Sequence, residues 1–156
     1  MTESAEKVFD PKEESASGGK VSSSAMRAVR IHRFGGMEVI EYEELPRPIP
    51  AQGQVLVRVK AAGVGPWDAW IRNGKSVLPQ PLPLTLGSDL SGVVESLGPG
   101  ISGVQRGDEV YGVTNARFTG AWADYAIAEA AMIAPKPERL TPIEATSVPV
   151  VASTAW

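Results

Sequence analysis

The sequence contains no cysteine and only one histidine, His32. Disulfides are therefore excluded, and so is any metal centre built on thiolates or on several imidazoles. No apolar run approaches the ~20 residues of a membrane-spanning helix. The N-terminus lacks the apolar stretch of a secretory signal, and its first arginine is Arg27, which speaks against a mitochondrial transit peptide. The cytoplasm is the expected location. Lys and Arg number 15 against 18 Asp and Glu, for a net charge of −3. That balance gives no basic footprint for nucleic acid and no polybasic patch for a membrane surface. Neither is an expected partner.

What the chain has in plenty is glycine (16) and proline (13), within a length of 156 residues that suits about one domain. Such usage favours turns over long helices. Residues 1–25 stand apart. Ser, Glu, Lys and Gly dominate there, and Val8, Phe9 and Val21 are the only sizeable apolar residues. The segment cannot bury enough surface to offset its ordering entropy, so a disordered tail is expected.

From Met26 onward the pattern is one of short strands. Strands are predicted over 27–32, 38–44, 55–61, 91–97, 109–113, 121–128 and 132–134. In the third of these Val55, Val57 and Val59 share one face, opposite Arg58 and Lys60. Residues 67–73 suit one or two helical turns closed by Gly74. The three prolines within 77–86 call for an irregular loop. Thr141 is placed to cap a short helix, with Pro142 at the first helical position and Glu144 completing a capping box. Turns every eight to twelve residues suggest a partly open Greek-key barrel rather than alternating strands and helices.

Residues 98–103 read G-P-G-I-S-G, with Asp124 about twenty residues further on, and so satisfy the dinucleotide fingerprint to the letter. That motif works only when its third glycine opens a helix whose amides face a pyrophosphate. The continuation V-Q-R-G-D-E-V carries turn chemistry at Gly107-Asp108 and no helical apolar stripe. A loop joining two antiparallel strands is the expected reading. Gly92 inside a strand implies a tight bend or a close backbone approach. No serine lies in a nucleophile elbow, and no catalytic side chain is singled out.

The segments MRAVRIHRFGG (26–36), VLVRVKAAGV (55–64), Pro66-x-Asp68 with Ile71-Arg72-x-Gly74, GSDLSGVVESLG (87–98) and GDEVYG (107–112) together resemble the GroES-like N-terminal domain of medium-chain dehydrogenases/reductases. The branch they resemble is the zinc-independent, quinone oxidoreductase-like one. The resemblance covers about residues 26–156. It implies a mainly β, GroES-like, partly open Greek-key barrel over 26–150. It also implies the start of a linker helix over 151–156, with the nucleotide-binding Rossmann domain outside this chain.

The implied activity is hydride transfer from NADPH to a quinone or an α,β-unsaturated carbonyl, with a small-molecule partner and a homodimer as a candidate state of the full-length protein. This chain alone is expected to be inactive. The zinc branch resembles it but places a cysteine at Gly65 and His-Glu at Ser88-Asp89, so no zinc is expected. By the same resemblance Gly65, Trp70 and Thr154 face the nicotinamide. Trp67, Phe118 and Trp122 are candidates for lining a substrate cleft, each with core packing as the alternative, and Asp68 orients its loop by capping it. The alternative function is a non-enzymatic GroES-like binding or interaction module.

Overall fold

A computed structural model describes residues 25–156, so the tail expectation for 1–25 lies outside the described residues except at Ala25. Among the described residues, eight strands form two antiparallel sheets. The smaller sheet has order β2-β1-β4, from β1 (Ala25–Ile31), β2 (Ile40–Pro46) and β4 (Leu84–Thr85). The larger has order β7-β3-β5-β6-β8. Its members are β3 (Gln54–Ala62), β5 (Asp89–Leu97), β6 (Glu109–Val113), β7 (Tyr125–Glu129) and β8 (Ile133–Pro135). Three short helices complete the fold: α1 (Pro66–Arg72), α2 (Pro142–Thr146) and α3 (Pro149–Ala155). The expected mainly β, GroES-like barrel is the one observed.

Two predicted strands need correction. Residues 38–44 begin as a 3-10 turn, Met37–Val39, and become strand only at Ile40. The turn drops Val39 into the core, where it is 2% exposed beside Ile31. Residues 121–124 are not strand either, because β7 begins at Tyr125. They cross between the sheets instead. Trp122 accepts from the Val29 amide at 2.8 Å, and the Asp124 amide donates to Arg27 at 2.9 Å. On the other side Asp124 accepts from the Val59 amide at 3.0 Å. This segment satisfies backbone groups of both sheets and partly closes the barrel.

The β3 alternation also holds only in part. Val55 and Val57 are buried as expected, but Leu56 is buried too and Val59 is half-exposed. Register shifts against β5 between Leu56 and Val57, and again between Val59 and Ala61, break the strict period of two. Gly92 stands opposite Val59. A Cβ there would collide with the Arg58 carbonyl and come within 2.8 Å of Val57 Cγ1, so the close approach inferred for this glycine is present.

Two cores result. One gathers Val55, Val57, Leu90, Val94 and Val110 of the larger sheet. The other gathers Ile31, Val39, Ile71, Leu84 and Leu86. Trp122 packs against both. The capping box on α2 is complete: Glu144 accepts from the Thr141 amide at 2.8 Å and returns its own amide to Thr141 Oγ1 at 3.3 Å. The glycine run 98–103 links β5 to β6, which pair antiparallel, and no helix follows it. Asp124 is engaged by Arg27 through the backbone amide at 2.9 Å and Nε at 3.3 Å.

Candidate functional site

The chemistry-bearing residues meet where two loops cross. The first runs from the end of β3 into α1, over residues 63–68, and the second from β4 into β5, over residues 86–89. The Gly63 amide donates to the Asp89 carbonyl at 2.9 Å and joins them. Two tryptophans then staple the loops in opposite senses. Trp67, in the first turn of α1 where the first loop ends, donates its indole N–H to Ser88 Oγ at 2.8 Å. Trp122, whose ring lies against Gly87 of the second, donates to the Gly63 carbonyl at 2.8 Å. Each indole occupies the room of a missing side chain. A Cβ on Gly65 would lie 2.6 Å from Trp67 Cη2, and a Cβ on Gly87 would lie 2.7 Å from Trp122 Cγ.

Behind the indoles sits a chain of buried polar groups. Ser88 is 1% exposed and Asp89 4%. The Ser88 hydroxyl donates to Asp89 Oδ2, and Asp89 Oδ1 accepts from the Val150 amide in the first turn of α3 at 2.9 Å. Trp67 is thereby connected through two side chains to the helix that carries Thr154. Sequence reasoning did not include Ser88 and Asp89 among the site residues. The available signal was two adjacent polar residues, Ser88 and Asp89, directly after Gly87 at the entrance to a strand.

Asp68 is buried at α1. Its Oδ2 accepts from the Gly65 amide at 2.8 Å, which caps the helix, and its Oδ1 has no hydrogen-bond partner. Burial pushes this carboxyl above its usual range. The Gly65 and Gly87 amides pull it back, the latter from outside hydrogen-bonding geometry, and the charge of Asp89 adds to the rise.

The other expected site residues fall as follows. Trp70 lies one turn after Trp67 on α1 and is 56% exposed. Thr154 is exposed, with its hydroxyl donating to the Val150 carbonyl of its own helix at 2.7 Å. Trp122 also lines a shallow cavity of about 380 Å³ with Val64, Tyr42 and Arg27. Phe118, at φ 60°, turns its ring into the Ile31–Leu86 core and is not brought to the loop crossing.

No zinc-type donor set stands at the crossing. Gly65 has no side chain, the Ser88 hydroxyl is shared between Trp67 and Asp89, and both Asp89 oxygens are engaged. Among the described residues one His/carboxylate cluster exists, His32 with Glu41 and Glu43 on the other sheet. Its Glu43 is shared between His32 and Arg30.

The sequence pattern of the "Alcohol dehydrogenase GroES-like domain" family matches residues 51–138, more than half of the chain. The chain belongs to that family. Within it, this GroES-like domain lies on the quinone oxidoreductase-like branch of the medium-chain dehydrogenases/reductases. It is 37% identical to the Homo sapiens quinone oxidoreductase over 132 residues, which is 84% of this chain and 40% of the relative. It is 33% identical to the 2-methylene-furan-3-one reductase of Solanum lycopersicum, over 85% of this chain and 36% of the relative. The chain thus spans well under half the length of the curated relatives it matches.

Among solved structures, a mycobacterial protein complexed with NADPH superposes with a TM-score of 0.76 at 32% identity, covering 83% of this chain and 39% of that one. A cobalt- and zinc-bound alcohol dehydrogenase from Pyrobaculum aerophilum superposes with a TM-score of 0.75, also at 32% identity, covering 85% and 47%. The fold of this GroES-like domain is therefore shared by metal-bound and NADPH-bound proteins. The residues at the loop crossing, not the fold, have to decide between those chemistries.

Proposed function

We propose that this chain is the acceptor-binding half of an oxidoreductase that passes hydride from NADPH to a quinone or an α,β-unsaturated carbonyl without zinc. The observation that carries the proposal is the loop crossing. The position that would need a thiolate is Gly65, and its space is filled by the Trp67 indole. The position that would need an imidazole is Ser88, whose hydroxyl is already committed. Neither offers a ligand for zinc. The zinc-bound relative superposes equally well, but a donor set is a property of side chains and not of the barrel.

NADPH fits the same place differently. Gly65, Trp70 and Thr154 would hold the nicotinamide end, and the cofactor would supply the hydride. The chain's own contribution is orientation and exclusion of water. The absence of a side chain at Gly65 lets the Trp67 indole lie against the backbone there, and Trp70 offers an exposed indole face. Thr154 presents an oxygen whose proton is already spent on Val150, so it accepts but does not donate. The loop over 98–103 has no helix behind it, so it does not supply a pyrophosphate site. The phosphates and adenine would be held by a domain outside this chain. The cytoplasm is the location proposed for such an enzyme, with a homodimer as a candidate state of the full-length protein.

The test joins the chain to the dinucleotide-binding domain of a quinone oxidoreductase relative. NADPH oxidation is then followed with naphthoquinone and with cyclohexenone. Turnover with either supports the proposal; turnover with neither, in a folded fusion that binds NADPH, contradicts it. The present chain alone is expected to show no saturable NADPH binding up to millimolar concentration.

A further inference from the structure

The net charge of −3 conceals a place where the balance reverses. The start of β1, the middle of β3, the start of β7 and the residue after β2 enclose a cavity of about 490 Å³. Three arginines line it, Arg27, Arg47 and Arg58, against one carboxylate, Asp124. None of the residues that interlock at the loop crossing lines it.

The ladder explains the gathering. Arg58 and Tyr125 stand directly opposite each other on β3 and β7, so their side chains share a face. The Arg47 guanidinium lies over the Tyr125 ring, 3.8 Å from its centroid. Arg27 arrives from β1 and donates to Asp124 Oδ2 through its backbone amide at 2.9 Å and its Nε at 3.3 Å. That contact neutralises the Arg27 charge. The other two are poorly compensated. Arg58 Nε stands 3.8 Å from Glu95, too far for a hydrogen bond, and the same carboxylate also serves Arg106 at 3.5 Å. Arg47 forms no ion pair among the described residues, and its Nε is buried without an acceptor. Buried donors of this kind call for a partner.

We propose that this cavity binds a phosphate monoester, with Arg47 and Arg58 holding the phosphate oxygens. A guanidinium presents its N–H groups as a planar fork that matches phosphate oxygens two at a time. The charge favours a dianion. A phosphate monoester carries nearly two negative charges at pH 7, whereas a carboxylate carries one. The volume falls within the ~300–1,000 Å³ of small-molecule sites, which leaves room for the organic group of the ester. The ester is either a free metabolite or a phosphorylated side chain, and both present the same group to the arginines. The site is separate from the hydride-transfer reading and needs no NADPH.

The experiment uses the full chain at low ionic strength. Glucose 6-phosphate, glucose and a short phosphoserine peptide are titrated separately by calorimetry, and the arginine Nε–H signals are followed by NMR. At least one of the two phosphate esters is expected to bind saturably, at or below millimolar concentration, and to move the Arg47 and Arg58 signals. Glucose should not bind. The tighter ester identifies the source as a metabolite or a phosphorylated side chain. Arg47→Leu should weaken binding about tenfold or more, the worth of one charge-assisted hydrogen bond. Arg139→Leu, an exposed charge that does not line the cavity, should leave affinity within about twofold. Affinity should rise between about pH 5 and about pH 7, as the ester loses its second proton.

The proposal is overturned if neither ester saturates, or if glucose binds as tightly as its phosphate. An equal loss in Arg47→Leu and Arg139→Leu overturns it too, since that pattern reports general attraction rather than a site. Should Arg47→Leu not fold, Arg58→Gln decides: a loss of about tenfold is expected, and unchanged affinity contradicts the assignment. The hydride-transfer reading is tested by the fusion and is untouched by any of these outcomes.

Discussion

Two glycine-rich parts of this chain look alike on paper and are built for different reasons. At the loop crossing, Gly65 and Gly87 are small because something else fills their space: an indole ring lies where each Cβ would be. In the loop between β5 and β6, Gly103 and Gly107 have nothing within 4 Å of a Cβ, and what they supply is backbone conformation, at φ 79° and 95°. The first pair marks a place where side chains from two loops interlock over buried polar groups. The second marks a turn that returns the chain to an antiparallel strand. A string of glycines identifies a site only when the space around them is occupied or reserved. By that criterion the fingerprint over 98–103 is a turn, and the plainer G-V-G-P and G-S-D segments are where side chains from two loops interlock.

The sharpest way to break this comparison is to add one methyl group to each region. Gly87→Ala combines a φ of 89° with a Cβ inside the Trp122 indole, and both the strain and the overpacking oppose it. We expect a loss of about 3 kcal/mol or more in denaturant unfolding. Ser88→Ala comes next. It strands the Trp67 N–H and removes one of the hydrogen bonds on the buried Asp89 carboxylate, for an expected cost of about 1–3 kcal/mol. Chemical denaturation measures it, and the Trp67 indole signal should move upfield as its hydrogen bond is lost.

Gly103→Ala should cost only about 1 kcal/mol, since open space leaves the left-handed backbone as the sole penalty. A cost equal to that of Gly87→Ala would erase the distinction between the two regions.

The smallest effect concerns Asp68. Its carboxyl is raised above the ordinary 3.8 mainly by burial, so the folded chain holds the proton at pH values where the unfolded chain has released it. Over that window the folded state binds more protons, and stability falls as pH rises above 3.8. Asp68→Asn has no such titration. Melting temperatures of the two proteins should therefore run with different slopes just above that pH, the wild type declining more steeply. Parallel curves would show that the Asp68 carboxyl is not perturbed.

Much of the barrel was legible in the sequence because its signals are local. The Thr141, Pro142 and Glu144 spacing marks a capping box wherever it occurs, and the turn chemistry of Gly107-Asp108 sets the return into β6 without help from the rest of the fold. Gly92 could be read as a close approach because a glycine amid Val and Leu in a strand has few other uses. The crossing was not legible in the same way. Residues 121–124 alternate like a strand, yet their amides and carbonyls serve both sheets, and no local pattern encodes that. Trp67 and Trp122 were expected near a cleft. That each covers a glycine of a loop and bonds across to the other loop depends on residues between 20 and 60 positions apart, as the 21-residue and 59-residue separations of their hydrogen bonds show. Ser88 and Asp89 drew attention only for the ligands they are not, while their burial and their link to α3 emerge from the fold.

The central claim is that the crossing is filled by an indole and works without zinc. It is tested most directly by joining the chain to a relative's dinucleotide-binding domain, stripping the purified fusion with a strong chelator, and measuring zinc content and NADPH-driven naphthoquinone reduction together. The account predicts no stoichiometric zinc and unchanged turnover after chelation. Turnover that disappears on chelation and returns on adding one equivalent of zinc would contradict it.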